Sequence, residues 1–311
     1  MIELVFFVLV FYLAWCIGTN LESFASIVGS RVVSLRKALI IASIAVFIGA
    51  CFFGGNVSKT LREEVTNISG DVFVLSVLAG AGFWIAFASW RSWNISTTAS
   101  IVGSLVGVAL FTGRVVNWST VFEILLGWFT SPLIGFFLSF FFVIILSRLI
   151  NFFVKGFEGL EIWELRLAFV QLVFTFFSVL VRAANDVAQA VFFFDLSSHV
   201  FILIAAFGMS VGLLTLGKNV VKGLGSRLTK LSPSSGLAVQ LSTFFALSFF
   251  TGFGVPVSGS VIFVSAMAGA GFARGQRVNK SFLKQTVMSW IITMPVTAVI
   301  SVGFFIVLGL F

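Results

Sequence analysis

Two adjacent polar residues, Asn185 and Asp186, interrupt an otherwise apolar part of the chain. They lie in the stretch V-R-A-A-N-D-V-A-Q-A-V, which apolar and aromatic runs flank on either side. A carboxylate at the centre of a bilayer costs about 2.5–3.5 kcal/mol even on the gentlest insertion scale, so such a residue normally faces the protein interior or water and serves a function. Asp186 is therefore predicted to hold a ligand or a coupling ion. The alternative is an i, i+4 ion pair with Arg182 that allows both side chains to be buried.

Two hydroxyl-rich motifs also interrupt apolar runs: Ser96, Thr97 and Thr98 in W-N-I-S-T-T, and Ser258 and Ser260 in V-P-V-S-G-S. Each follows a short break and precedes a run rich in small residues, which is typical of a re-entrant hairpin whose second helix begins at a hydroxyl cap. A helix N-terminus offers free N–H groups and a partial positive charge, which suit a tetrahedral oxyanion. The alternative is that these hydroxyls only pack and bond between helices. The motifs predict an anion site made by two hairpins.

Asn20 and Glu22, in G-T-N-L-E, form a weaker copy of the Asn185 and Asp186 motif. Three further pairs of residues share one common spacing: Ser96 with Ser258, Asn117 with Asn279 and Trp128 with Trp290. The spacing between Asn20 and Asn185 is only slightly longer. This near constancy indicates a duplication. Glu22 is one residue further along than the equivalent of Asp186, and a helix would rotate it by about 100°. A functional and a structural role therefore both stay open for Glu22.

The composition is that of an integral membrane protein. Hydrophobic residues make up 59% of the 311 residues, charged residues 10%, and the mean hydropathy is +1.15, whereas about a quarter of a soluble domain is charged. About ten apolar runs can be read as helical spans, and the first of them, 2–16, lacks the basic start of a signal peptide and is expected to be kept. The net charge of +8 falls in short loops, where the positive-inside rule places it, so nucleic acid is not an expected partner.

The chain is expected to contain two repeats of five helical segments each, 1–147 and 167–311, joined by a charged loop at 148–166. The loops 218–230 and 274–284 are basic without an acidic residue and are predicted to be cytoplasmic. The equivalent loops of the first repeat are balanced or nearly neutral, and this reversed polarity predicts inverted topology with both termini extracytoplasmic. The predicted fold is an all-α membrane protein with two inverted-topology repeats and re-entrant hairpins, about 10–12 segments in total, a plan typical of secondary transporters.

Several classes of function are excluded by what the sequence lacks. It contains no nucleophile with a matching base, no metal-type cluster and no P-loop, so neither an enzyme nor an ATP-driven pump is expected. Coupling to an ion gradient remains as the way to drive transport. A channel, or a scaffold that transports nothing, is the alternative from a different class.

The motifs resemble those of the inorganic phosphate transporter (PiT) family. R-A-A-N-D-V-A-Q-A is similar to the family signature G-A-N-D-V-A-N-A, and G-T-N-L-E-S-F-A looks like a degraded first copy of it. W-N-I-S-T-T-A-S-I-V-G resembles the family's P-V-S-T-T-H-S-I-V-G, with V-P-V-S-G-S-V as the second copy. The resemblance implies symport of inorganic phosphate with sodium or protons across a lipid bilayer, commonly by a homodimer.

Carried over by motif position, the resemblance also implies the site. The anion would meet Ser96, Thr97, Thr98, Ser258 and Ser260, while Asn20, Asn185 and Asp186 would hold it together with coupling cations. A sodium ion at Asp186 would find the oxygen ligands that hard cations take. Whether the protein transports by rocking or by an elevator-like slide stays open.

The chain departs from the family pattern at three places. Leu21 stands where the family has its first Asp, Ala99 replaces the His after S-T-T, and Gly259 with Ser260 replaces Thr-Thr. The loss of one acidic ligand allows a single cation site, or proton coupling through Asp186 or Glu22. It also brings in sulfate as the alternative substrate, since sulfate permeases of this family depart at the same motif. Phosphate is kept as the first prediction.

Overall fold

The structure is a computed structural model that describes residues 2–52, 58, 60–61, 65–68, 70–154, 156–194 and 199–310. Within these residues the chain forms twelve α-helices: α1 Ile2–Thr19, α2 Ala25–Gly29, α3 Leu35–Phe52, α4 Asp71–Trp90, α5 Thr97–Phe111, α6 Trp118–Phe153, α7 Gly156–Val191, α8 His199–Gly212, α9 Lys218–Arg227, α10 Pro233–Gly252, α11 Gly259–Ala273 and α12 Lys280–Leu308. A π-helical turn, Leu213–Gly217, joins α8 to α9.

Six helical segments of the described chain are long and apolar enough to cross a membrane: Asp71–Trp90, Trp118–Phe153, Gly156–Val191, His199–Gly225, Pro233–Gly252 and Lys280–Leu308. Three shorter apolar helices, Leu4–Thr19, Thr97–Phe111 and Gly259–Ala273, lie among them. Few apolar side chains of α6 and α12 are buried, as expected of helices that face lipid. The predicted all-α, multi-pass membrane architecture is confirmed.

The helix bounds repeat along the chain at the spacing that the sequence motifs share. α4 and α10 are offset by this spacing at both ends, α5 and α11 likewise, and α6 and α12 at their starts. The starts of α6 and α12 are set by matched caps, since Asn117 accepts from Thr120 N at 3.4 Å and Asn279 accepts from Phe282 N at 3.0 Å. Each of these two helices also contains a proline, Pro132 or Pro295.

Close helix contacts are exchanged between the two halves. A Cβ added at Gly107 would lie 2.6 Å from Ala298 Cα, and one added at Gly269 would overlap the Phe136 carbonyl oxygen. Gly107 and Gly269 are equivalent positions of the two halves, and so are Phe136 and Ala298. Gly107 of the first half therefore contacts the second half, and Gly269 of the second half contacts the first. Only glycine permits such close approaches between helices. The exchange supports the duplication, while the inverted orientation of the two copies stays a prediction.

The predicted connecting loop at 148–166 is mostly helical. α6 continues to Phe153 and α7 begins at Gly156, so most of the predicted loop belongs to these two helices. The charged side chains that suggested a loop, Glu158, Glu161 and Arg166 among them, are exposed on the surface of a helix. The prediction was wrong because mixed charge also suits an exposed helix face. Asn56, which is the first-repeat equivalent of Asn219, and the loop residues Lys59, Arg62, Glu63, Glu64 and Asp195 lie outside the described residues.

Candidate functional site

The residues predicted to form the site come from four elements and meet in the protein interior. Asn20 and Glu22 follow α1, Ser96, Thr97 and Thr98 begin α5, Asn185 and Asp186 lie on α7, and Ser258 and Ser260 begin α11. Each of these side chains is at most 3% exposed. We refer to them, together with Arg182 and Gln189, as the polar cluster. The structure therefore joins motifs that are up to 240 residues apart in sequence.

The end of α1 explains how Glu22 reaches the polar cluster. α1 ends at Thr19, and residues 20–24 leave the helix before the five-residue α2 begins. The argument that a helix would rotate Glu22 away was wrong, because the chain is not helical there. Asn185 and Asp186, by contrast, lie within the unbroken helix α7, which continues to Val191.

Arg182 lies between two carboxylates from different halves of the chain. Its Nη1 lies 2.6 Å from Glu22 Oε1, and its Nε lies 3.3 Å from Asp186 Oδ2. The ion pair with Asp186 that the sequence offered as an alternative is present. With all three groups ionised the cluster carries a formal charge of −1. Buried charges of this kind are stable only when each one is paired and hydrogen-bonded.

The guanidinium of Arg182 also reaches the second hydroxyl motif. Arg182 Nη2 donates to Ser260 Oγ at 2.8 Å, and Ser260 Oγ donates to Glu22 Oε2 at 3.1 Å. Asn20 Nδ2 lies 3.4 Å from the same hydroxyl. Ser260 thus links the first turn of α11 to both charges of the ion pair. The sequence analysis treated Arg182 only as a partner of Asp186, although an arginine within an apolar helix was itself a signal of a polar interior.

The two Ser-containing helix starts meet at one backbone carbonyl. Thr98 Oγ1 donates to Val257 O at 3.0 Å, and Asn185 Nδ2 donates to the same oxygen at 3.1 Å. Asn20 Nδ2 donates to Ile95 O at 2.8 Å. Ile95 and Val257 are equivalent positions of the two halves, and each immediately precedes a hydroxyl motif. The two asparagines therefore make equivalent contacts, each with the residue before the cap of one broken helix.

Gln189 is a member of the polar cluster that the sequence analysis missed. Its Nε2 donates to Thr98 Oγ1 at 3.0 Å and lies 3.4 Å from Asp186 Oδ1. It stands one helical turn beyond Asp186, on the same face of α7. The sequence spacing could have identified Gln189, because a side-chain amide one helical turn from a buried acid lies on the same helix face as that acid.

Ser96 and Ser258 occupy the N-cap positions of α5 and α11, but their side chains make different hydrogen bonds. Ser96 Oγ accepts from Ala99 N at 3.1 Å and so caps α5. Ser258 stands at the same place before α11 with an extended backbone, but its side chain makes no capping bond. Ser258 Oγ is buried without a hydrogen-bond partner among the described residues. The N-terminus of α11 is therefore the open one, with a hydroxyl and helix N–H groups available to an anion.

Oxygen atoms without donors surround the buried acids. Asn20 Oδ1, Asn185 Oδ1 and Gln189 Oε1 accept no hydrogen bond within the described part of the chain, and all three are buried. A buried polar atom left unpaired costs about 1–3 kcal/mol, so three such oxygens in one cluster point to a missing partner. Amide, hydroxyl and carboxylate oxygens are what a hard cation takes. With the formal charge of −1, the polar cluster fits one monovalent cation such as sodium.

Comparisons with known proteins agree on one family. The sequence model of the phosphate transporter family matches residues 20–301. Proteins named as candidate phosphate permeases are 26% identical in Chlamydia pneumoniae, over 99% of both chains, and 28% identical in Haemophilus influenzae, over 96% of this chain and 94% of that one. A solved structure titled "The sodium-dependent phosphate transporter" superposes with a TM-score of 0.90 at 26% identity and covers 99% of each chain.

Proposed function

The chain belongs to the phosphate transporter family, and on this premise we propose that it is a secondary transporter that carries inorganic phosphate across a membrane together with sodium. Its relatives are named for phosphate, and the solved transporter that it resembles is named for sodium dependence. The observation that carries the proposal is the polar cluster itself, a fully buried set of charged and hydroxyl groups where two broken helices meet inside a membrane protein. Buried groups of this kind in a bilayer mark substrate and ion pathways.

Phosphate is proposed to bind at the N-termini of α5 and α11. Ser258 and Ser260 supply hydroxyls at the open end of α11, and Ser96, Thr97 and Thr98 supply them at the start of α5. The N-termini of both helices, which carry partial positive charge, lie next to each other, because Thr98 bonds the carbonyl of Val257. Arg182 is paired with Glu22 and Asp186 and also places its guanidinium beside Ser260, where it can contact an oxygen of a phosphate group.

Sodium is proposed to bind at Asp186, among the oxygens of Asn20, Asn185 and Gln189. Before phosphate binds, Arg182 compensates one of the two buried carboxylates, so the cluster without its anion requires only one further positive charge. We propose a single sodium ion at this cluster for that reason. A proton on Glu22 or Asp186 would satisfy the same charge, and the experiment must distinguish the two.

The test is uptake of labelled phosphate into proteoliposomes that contain the purified protein. Four conditions are compared: an inward sodium gradient, an inward proton gradient, both gradients, and neither gradient. We expect uptake that follows the sodium gradient and persists with excess sulfate outside. The dependence of the uptake rate on sodium concentration should have a Hill coefficient near one. Uptake of sulfate that excess phosphate does not reduce would overturn the choice of substrate. Uptake that follows only the proton gradient would overturn the choice of ion.

A further inference from the structure

A basic cleft lies beside the first broken helix, apart from the polar cluster. Its volume is about 740 Å³, and it is lined by the end of α4 and the break that follows, the end of α9 and the start of α12. Three cationic residues line it, Arg91, Arg227 and Lys284, each from a different part of the chain. None of the described lining residues is acidic, and none of the three cations takes part in a salt bridge within the described residues.

One residue that lines this cleft carries an unpaired side-chain amide. Asn94 lines the cleft and is only 5% exposed, yet neither its Oδ1 nor its Nδ2 has a hydrogen-bond partner among the described residues. Its backbone carbonyl accepts from Ser289 Oγ at 2.8 Å, which fixes the break against α12. A buried amide that bonds to nothing is rare in a protein interior. It indicates a ligand that the amide and the nearby cations would share.

Two aromatic rings hold the side chain of Arg91 and do not neutralise its positive charge. Its Cζ lies 5.9 Å from the ring centroid of Trp93 and 6.0 Å from that of Trp90. Cation–π contacts at this distance orient a guanidinium and leave its N–H groups able to donate. Ser92 and Ser281, whose side chains carry hydroxyl groups, also line the cleft. Cations and hydroxyl donors around one cavity are the chemistry of an oxyanion site.

The cleft is not a consequence of the duplication. At the equivalent positions of the other half, Arg91, Asn94 and Lys284 are matched by Phe253, Pro256 and Phe122, which are apolar. A basic cleft therefore exists beside the first broken helix, with no counterpart at the equivalent positions of the second. The positive-inside rule accounts for basic residues near one membrane surface, but it does not account for the unpaired amide of Asn94.

We propose that this basic cleft is a second anion site, which binds a phosphate group on the far side of residues 93–96 from the polar cluster. Asn94 stands two residues before Ser96, and the intervening Ile95 carbonyl is bonded by Asn20, so the cleft and the polar cluster lie on either side of this short segment. The phosphate group is either free inorganic phosphate that has left the polar cluster or the headgroup of an anionic lipid. Only the first of these rests on the proposed function.

The experiment measures binding of labelled inorganic phosphate to the full chain in nanodiscs made of phosphatidylcholine alone. We expect two classes of site, of which one is weakened by Ser258→Ala and the other by the double substitution Arg91→Gln and Lys284→Gln. The second class should lose affinity on the order of tenfold or more when its charged donors are removed. Asn94→Asp should have the same effect, because it places a negative charge in the cleft. Lys280→Gln, on the same helix as Lys284 but outside the cleft, should leave both classes unchanged.

A second arm uses nanodiscs that contain phosphatidic acid. If a lipid headgroup is the occupant, phosphatidic acid will remain bound to the purified wild-type protein and not to the double variant, and the second class of phosphate binding will disappear. Either source of the phosphate group supports the proposal. Identical phosphate binding and identical lipid retention in the wild type and both cleft variants would overturn it. A different result would overturn the proposed function instead. In that case the wild-type protein would show no phosphate uptake and no binding site sensitive to Ser258→Ala, but would still bind phosphate in the cleft.

Discussion

Arg182 and Glu22 form a buried ion pair, 2.6 Å apart, across 160 residues of sequence. Arg182 belongs to α7 and Glu22 to the break after α1, so this contact joins the two halves of the chain at the polar cluster. Asp186 lies on the other side of the same guanidinium, at 3.3 Å. One guanidinium therefore pairs with two carboxylates, which leaves a formal charge of −1. We propose that the transported sodium ion neutralises this charge.

Replacing Asp186 by Asn should abolish uptake driven by a sodium gradient while the protein stays folded. The amide keeps the shape and most hydrogen bonds of the carboxylate, but the negative charge that holds the cation is gone. Uptake of labelled phosphate into proteoliposomes and a thermal unfolding curve measure the two effects. Asp71→Asn is the control, since Asp71 is an exposed acid at the start of α4. Normal gradient-driven uptake by Asp186→Asn would show that this carboxylate does not couple transport.

Replacing Arg182 by Gln should destabilise the protein by about 3–5 kcal/mol, because it leaves two buried carboxylates without their partner. The double variant Glu22→Gln and Arg182→Gln should recover much of this loss, since it removes a positive and a negative charge together. Thermal unfolding of the wild type, both single variants and the double variant gives the coupling energy. Additive effects of the two substitutions would contradict the ion pair.

Ser96→Ala and Ser258→Ala should each raise the KM for phosphate, but only Ser96→Ala should also destabilise the protein. Ser96 caps α5 through Ala99 N, so its loss should cost about 1 kcal/mol of stability. Ser258 makes no capping bond, so its loss should leave the unfolding temperature unchanged and raise only the KM for phosphate. Uptake kinetics and thermal unfolding on the two single variants separate the effects, and the double variant should show both. A wild-type KM in Ser258→Ala would remove this hydroxyl from the anion site.

Gly107→Ala and Gly269→Ala should each destabilise the protein, by about 1–3 kcal/mol if the helices must move apart. An added methyl would collide with Ala298 in the first variant and with the Phe136 carbonyl in the second. Gly303→Ala in α12 is the matched control, because among the described residues nothing lies within 4 Å of the added methyl. Thermal unfolding measures all three. A loss in only one of the two glycine variants would argue against equivalent contacts in the two halves.

The sequence was sufficient to predict the membrane class, the helical fold and most of the residues that meet in the polar cluster. The apolar composition and the recurrence of Asn20 and Ser96 in Asn185 and Ser258 carry that information locally. The site residues meet as predicted, while their roles in binding, the homodimer and the outward position of both termini stay predictions.

Other features depend on tertiary contacts that no local pattern records. The break after Thr19 brings Glu22 to Arg182, and a helical reading of that stretch pointed Glu22 elsewhere. The continuation of α6 to Phe153 removed the predicted loop, since charged residues on an exposed helix look the same in sequence as charged residues in a connection. The contact of Gln189 with Thr98 becomes visible only when α7 is placed against α5.

The most direct test of the account is the position of the bound anion. Arsenate has the shape and charge of phosphate and scatters X-rays anomalously, so crystals of the protein grown with arsenate and sodium would locate it. We predict an anomalous peak at the N-termini of α5 and α11, within hydrogen-bonding distance of Ser258 and Ser260, and a weaker one in the basic cleft. A peak in the cleft alone, or none at the two helix N-termini under conditions where arsenate competes with phosphate uptake, would contradict the account.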